Sequence, residues 1–555
     1  MKKLISGLAG LILIILIACN PMKRADLIVH NAKIYTVDDN FSMAEAMVVS
    51  DGKIVATGSD KDILSTYNAD EMIDLAGKPV YPGFIDAHCH FYSYGLGLLK
   101  RADLKGTESF EEILEIIKAH QKKFPSAYWI EGRGWDQNDW AVKEFPTKER
   151  LDELFPDNPV MLTRIDGHAA LVNSKAFEIA GIDAATKVNG GSVVLKNGEP
   201  TGVLIDNAID LVSVKIPDPD VSQIAEALIS AQKNCFAVGL TGVHDAGLGK
   251  NIIDMIDSLQ QSGQLKMPMY VMLSPTRENF VAFVEKGPLK TEKLNIRSIK
   301  LYADGALGSR GAKLLEDYSD DPGNSGLVLQ TPDSIWDICK TAYEKGFQVN
   351  THAIGDSANR MMLQLYGEVL KGENDKRWRI EHVQIIAPED FDLFSKYSIV
   401  PSSQPTHATS DMYWGEDRVG PKRIKGAYAY KKLLDQTGWI PLGTDFPIES
   451  INPLYTFYAA VVRKDLNGWP EDGFQMEDAL SREEALKGMT IWAARAAFEE
   501  NEKGSLEPGK SANFVVFEED IMEIPEKDIP ETKVLKTFIG GELVYSDYVG
   551  GLNKR

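Results

Sequence analysis

Polar and apolar residues alternate with period two near both ends of the chain, and the period lengthens between them. Residues 26–36 read as a strand, as do residues 46–49. Asp51-Gly52 supplies a two-residue hairpin turn, and residues 53–58 return as the partner strand. Near the other end, residues 512–517 and 534–539 are rich in β-formers, and Gly540-Gly541 turns into residues 542–545. Strand blocks at both termini predict one small β-sandwich domain built from residues 19–79 and 501–555.

Between these blocks, strands alternate with amphipathic segments such as 221–236 and 333–345, the mark of a parallel α/β core. Eight candidate core strands lie near residues 80–88, 242–246, 269–273, 298–304, 348–352, 380–383, 399–403 and 441–445. Eight such units predict an α/β fold of the (β/α)8 TIM-barrel type over residues 80–500. An open doubly wound sheet is the weaker alternative, because no glycine-rich phosphate loop follows a strand. The gap between the first two strands far exceeds one crossover helix. An insertion at about residues 100–220 is therefore expected to shape access to the catalytic face.

Composition narrows the partners. The 555 residues include 60 Lys+Arg and 81 Asp+Glu, a net charge of −21. That balance argues against the basic stripes of nucleic-acid binding and does not identify a partner. A homo-oligomer is compatible with it. Met1-Lys2-Lys3 followed by an apolar run to Ala18 has the form of a secretory signal over residues 1–18, too short to span a membrane. Leu16-Ile17-Ala18-Cys19 resembles the bacterial lipobox. The resemblance implies cleavage before Cys19, lipidation of its sulfur, and a lipid-anchored protein of the bacterial cell envelope facing the periplasm or exterior. The other cysteines, Cys89, Cys235 and Cys339, are expected as free or buried thiols.

The candidate chemistry sits at strand ends. His88, His244, His352, His382 and Asp445 all fall at C-terminal ends of candidate strands, where barrel enzymes keep their active sites. His88 and His90 are two residues apart, so they project to the same side and can share a metal ion. On residues 298–304, Ile299, Leu301 and Ala303 would face the helices, and Lys300, Tyr302 and Asp304 the barrel interior. A buried ammonium must be neutralised or paired. Lys300 therefore either forms a salt bridge, for instance to Asp304, or is carboxylated into a metal-bridging anion. Asp445 can bind metal and also accept a proton. Tyr92, Trp135 and Trp414 are candidates for an apolar pocket wall.

In order and spacing these segments resemble the amidohydrolase superfamily, in its YtcJ-like branch that includes N-substituted formamide deformylases. The segments are Pro82-Gly83-Phe84-Ile85-Asp86-Ala87-His88-Cys89-His90, Asp166-Gly167-His168, residues 300–310, Thr351-His352-Ala353-Ile354-Gly355-Asp356, Glu381-His382, Gly443-Thr444-Asp445 and residues 507–514. The resemblance implies a site with two divalent metal ions, usually zinc. His88, His90 and Asp445 would hold one, His352 and His382 the second, and carboxylated Lys300 would bridge them. It implies a small-molecule, amide-type substrate and hydrolysis of its non-peptide carbon–nitrogen bond, N-formyl or N-acyl amine in type, by metal-activated hydroxide with Asp445 as proton shuttle. His168, His407 and Arg310 would contact substrate. A mononuclear deaminase and a non-catalytic ligand-binding surface lipoprotein are the alternatives; Lys300 favours the binuclear amide hydrolase.

Overall fold

The structure is a computed structural model that describes residues 22–125 and 127–547. The leader and Cys19 lie outside the described residues. Among those described, no helix is long and apolar enough to cross a membrane. Cys89, Cys235 and Cys339 are free and buried.

Seven parallel strands run in chain order around the central sheet: Phe84–Cys89, Leu240–Leu248, Met269–Leu273, Leu294–Tyr302, Gln348–Ala353, Arg379–His382 and Val400–Ser402. The eighth strand expected at 441–445 is not a regular strand. It is reduced to a single bridge between Ser403 and Leu442. Pro441 lacks an amide donor, which limits its pairing. The segment nonetheless closes the barrel. Ala87 N donates to Leu442 O (3.2 Å), Asp445 N to His88 O (2.8 Å) and Gly443 N to Ser403 O (3.0 Å). Helices cover the outside. Asp220 and Gln223 form a reciprocal capping box that starts Val221–Ala237. Thr331 and Gly346 cap Pro332–Lys345 at its two ends.

The run expected as one strand over 80–88 is two. Pro79–Pro82 belongs to the terminal β domain and Phe84–Cys89 to the barrel. Gly83 makes the handover, and a Cβ there would lie 2.2 Å from Thr241. The run 26–36 also divides, into Lys23–His30 and Lys33–Tyr35, because Asn31 turns the chain at φ +49°. These two strands enter different sheets of the sandwich. One sheet orders Lys53–Gly58, Ala46–Ser50, Lys23–His30 and Tyr67–Asp74. The other orders Glu542–Ser546, Val534–Ile539, Phe514–Phe517, Pro79–Pro82, Lys33–Tyr35 and Met43–Ala44, so both termini contribute. Asp51 (φ +50°) and Gly52 (φ +74°) make the expected hairpin turn.

The insertion has its own sheet, running from Ala102–Asp103 through Ile130–Trp135, Val160–Arg164, Ala169–Val172 and Glu199–Asp206 to Gly191–Lys196. Leu104, Ile113, Leu114, Ile117, Trp135 and Leu162 form an apolar core on one face, and a second cluster around Phe177 and Leu204 covers the other. Two covered faces make this a rigid wall rather than a loose loop.

Candidate metal centre and active site

A cavity of about 710 Å³ opens between the C-terminal ends of the barrel strands and the insertion. Its floor is Lys300, Tyr302, His352, His382 and Asp445, with His90 and His407 at the sides.

The ring tautomers at the floor follow from their neighbours. His88 Nδ1 lies 2.6 Å from Glu381 Oε2, both side chains fully buried. Burial alone would raise the Glu381 carboxyl. Arg379, whose Nε is 2.7 Å from Oε1, and His88 outweigh it and hold the carboxyl far below its usual range. An ionised carboxylate only accepts, so His88 Nδ1 carries the proton and Nε2 keeps its lone pair. His90 Nδ1 faces the Ala246 carbonyl at 3.1 Å and must donate, which frees its Nε2. His352 Nε2 faces the Gly305 carbonyl at 3.4 Å, which frees its Nδ1. His382 Nδ1 is buried with no hydrogen-bond partner among the described residues.

These lone pairs converge on one carboxylate. His90 Nε2 and His88 Nε2 lie 3.3 and 3.7 Å from Asp445 Oδ1, and His382 Nδ1 lies 4.0 Å from Oδ2. Asp445 Oδ1 is buried and accepts no hydrogen bond among the described residues. Acceptors aimed at one another away from water are costly unless a cation lies between them. Two imidazoles and a carboxylate whose ligating atoms all lie within 4.8 Å of one another suit a divalent transition metal. The donor set therefore fits the group that the sequence implies. Burial, reinforced by the Lys300 cation, pulls His88 down to about 4, and burial holds His352 and His382 well below the ordinary imidazole range. All three rings are neutral, as ligands must be.

Lys300 is 1% exposed, and its Nζ lies 3.2 Å from His88 Nε2. It is not paired with Asp304. That carboxylate instead accepts from the amides of Ile354 (3.0 Å), Gly355 (2.8 Å) and Lys313 (2.8 Å). Burial lowers the Lys300 amine to about 8. His382 and Asp445 hold unusual backbone conformations for non-glycine residues, φ +73° and +63°. Both re-aim the side chain at a strand end.

The model of the amidohydrolase family matches residues 71–545. The chain belongs to that family. YtcJ of Bacillus subtilis (strain 168) is 34% identical over 523 residues, covering 93% of this chain and 98% of the relative. The N-substituted formamide deformylase of Arthrobacter pascens is 28% identical over 544 residues, covering 94% and 98%. Among solved structures, a metal-dependent hydrolase from Pyrococcus horikoshii OT3 superposes with a TM-score of 0.73 at 27% identity, covering 90% of this chain and 99% of that one. The amidohydrolase is thus a metal-dependent hydrolase, and its nearly closed barrel is the family's.

Distance alone would also group His382, His407 and Asp445 around a second ion. Hydrogen bonding argues otherwise. His407 Nε2 lies 3.3 Å from Asp445 Oδ2 and Nδ1 3.1 Å from Glu449 Oε1. Burial pulls His407 down, but the two carboxylates outweigh it and raise the ring to about 10. With a proton on each nitrogen it has no lone pair for a metal. His352, whose ring centroid is 4.5 Å from that of His382, retains one.

The insertion delivers His168 to the cavity. Its Nδ1 donates to Asp206 Oδ1 (2.6 Å), its carbonyl accepts from Asp206 N (2.9 Å), and its ring lies 4.9 Å from that of His352. Arg310 does not line the cavity; Asp320 holds its Nε and Nη2 at 3.2 and 2.9 Å, anchoring the loop. His244 is buried and accepts from Arg379 Nη1 at 3.0 Å. Trp414 lines the cavity, Trp135 lies in the insertion core, and Tyr92 lies outside the lining. Sequence reasoning missed the roles of Arg379, Glu381, Asp206 and Glu449. Arg379 and Glu381 carried a usable signal, since opposite charges two residues apart on a buried strand face one side and must pair.

Proposed function

We propose that this amidohydrolase cleaves the carbon–nitrogen bond of a small non-peptide amide, N-formyl or N-acyl amine in type, with two zinc ions and a carboxylated Lys300. The observation that carries the reading is the convergence of imidazole lone pairs on Asp445. The similarity to a formamide deformylase supports the bond type. His88, His90 and Asp445 would hold one ion, His352 and His382 the other, and the Lys300 carbamate would join them. Such ions polarise the substrate carbonyl and make water easier to deprotonate.

The residues do the rest. The Lys300 ammonium loses one proton to become the amine, which adds carbon dioxide and releases a second proton, so that a buried cation beside His88 is replaced by an anion. Asp445 is ionised, held well below the usual carboxylate range against burial by the hydrogen bond from His407. It accepts a proton from the attacking water and passes it to the nitrogen as the carbon–nitrogen bond breaks. The products are a carboxylic acid and an amine. The insertion wall with His168 confines the substrate over the floor.

The test is metal content per chain for wild type and Lys300→Ala, run beside a panel of N-formyl and N-acyl amines. About two zinc per wild-type chain, marked loss in the variant, and turnover of a panel member are expected. A fully loaded wild type that turns over nothing on the panel would overturn the reading. We also propose that the mature chain is anchored to the bacterial cell envelope by lipid on Cys19. A metabolic fatty-acid label should appear on the wild type and vanish in Cys19→Ser; an unlabelled wild type sinks the anchor.

A further inference from the structure

Tyr302 is a polar group at the floor that neither the metal nor the proton route uses. It follows Lys300 by two residues on Leu294–Tyr302, so its side chain faces the same interior. Its backbone is pinned: Tyr302 N donates to Gln330 Oε1 at 2.9 Å, and the residue pairs in register with His352 on the next strand. Lys300 Nζ lies 5.0 Å from the Tyr302 ring centroid, and the His352 ring centroid lies 5.6 Å from it. The phenol thus lies close to both the ligand proposed to bridge the ions and a ligand proposed for the second.

Its hydroxyl makes no hydrogen bond to any described residue and opens on the cavity. It lies over Gly247, where a Cβ would approach it to 3.6 Å. Gly247 follows Ala246, whose carbonyl holds His90. The oxygen is therefore on the His90 side of the floor, with its donor uncommitted.

We propose that Tyr302 is a catalytic residue that donates a hydrogen bond from Oη to the substrate carbonyl oxygen as that oxygen gains negative charge. The proton stays on Oη throughout; no bond to the tyrosine forms or breaks. A fixed donor in a dry site stabilises the charge that develops more than the charge of the ground state. This inference rests on the amide-hydrolase reading above.

The test is Tyr302→Phe in the metal-loaded chain, on the N-formyl amine that the wild type turns over fastest and on its thioamide counterpart. Phenylalanine keeps the ring against Lys300 and His352 and removes only the donor. We expect kcat to fall by about 100- to 1,000-fold on the amide, the usual loss for one such donor. KM should change by less than about threefold and zinc per chain should not change. On the thioamide, whose sulfur accepts hydrogen bonds poorly, the variant should lose less than about tenfold. An active wild type with an equally active variant overturns the role of Tyr302 alone. So does a variant that loses zinc, or one that changes only KM. A loaded wild type that is inactive across the panel overturns the amide-hydrolase reading, and this role with it.

Discussion

Thr444 Oγ1 donates a 2.7 Å hydrogen bond to Asp86 Oδ2, and Thr444 N donates to Oδ1 of the same carboxylate at 3.0 Å. Asp86 sits on the first barrel strand, and Thr444 on the irregular segment that takes the place of the eighth. His88 N adds a third donor to Oδ1 at 3.1 Å. One buried carboxylate therefore stitches the barrel shut between a residue adjacent to Asp445 and the amide of His88. The tie compensates for a seam with only one ladder bridge. Asp86→Ala would leave three buried donors unpaired, at about 1–3 kcal/mol for each group that water cannot reach. We expect a stability loss of about 3 kcal/mol in urea unfolding, together with reduced zinc content. A loss below about 1 kcal/mol would show that the seam does not depend on this carboxylate.

Glu381 is expected to act on metal affinity through His88. Its carboxylate fixes the proton on Nδ1, and Arg379 fixes the carboxylate. Outer partners of this kind typically contribute 10- to 100-fold in metal affinity. Glu381→Gln removes the charge while keeping an acceptor. Chelator competition should show zinc held about 10- to 100-fold more weakly. Stability should also fall by about 3 kcal/mol, because Arg379 becomes a buried cation without its partner. Unchanged zinc affinity in a folded variant would remove Glu381 from the metal centre.

The Asp206–His168 pair predicts a different phenotype. It stands on the insertion and reaches no proposed metal-ligating atom of the His88, His90 and Asp445 set. Asp206→Ala frees the His168 ring from its 2.6 Å anchor. Misplacing a group that positions substrate costs rate without removing the ions. We expect kcat/KM to fall by about 10- to 100-fold at constant zinc content. Wild-type turnover in this variant would make His168 part of the wall only.

The legible parts of the site were those with short-range signatures. His88 and His90 share a face because strand geometry has period two, and Lys300 faces inward for the same reason. His352 and His382 could be placed at strand ends because short alternating segments, Gln348-Val349-Asn350-Thr351 and Arg379-Ile380-Glu381, precede them. The eighth strand misled, since a short apolar run around Pro441 reads as a strand although its partners give it one bridge. The insertion sheet was invisible as a sheet, because its strand order depends on pairings that are distant along the chain, such as Ala169–Val172 against Glu199–Asp206. Asp206 lies 38 residues from His168, and no local pattern joins them. Arg310 read as a substrate contact because its partner Asp320 could not be folded against it by inspection.

A last prediction concerns the joint between the two termini. Asp520, from the C-terminal part of the sandwich domain, accepts hydrogen bonds from Tyr35 Oη (2.8 Å) and Tyr81 Oη (2.6 Å) of the N-terminal part. Lys33 Nζ also approaches it, at 2.5 Å. Burial alone would raise the Asp520 carboxyl, but Lys33, Tyr81 and Tyr35 outweigh it and hold it below its usual range. A carboxyl whose folded value is depressed contributes stability that is fully present above its unfolded value near 3.9 and is lost as pH falls through the lower folded value. The ion pair with the partly exposed Lys33 adds little, so the tyrosine hydroxyls dominate. Asp520→Asn should cost about 1–3 kcal/mol at pH 7, the range for hydrogen bonds to a charged acceptor. It should also flatten the acid limb of the stability curve below pH about 4, because the variant has no carboxyl at this position to protonate. Urea unfolding at pH 7 and along an acid series measures both effects. A parallel downward shift with the acid limb intact would mean that the charge of Asp520 does not hold the two terminal segments together.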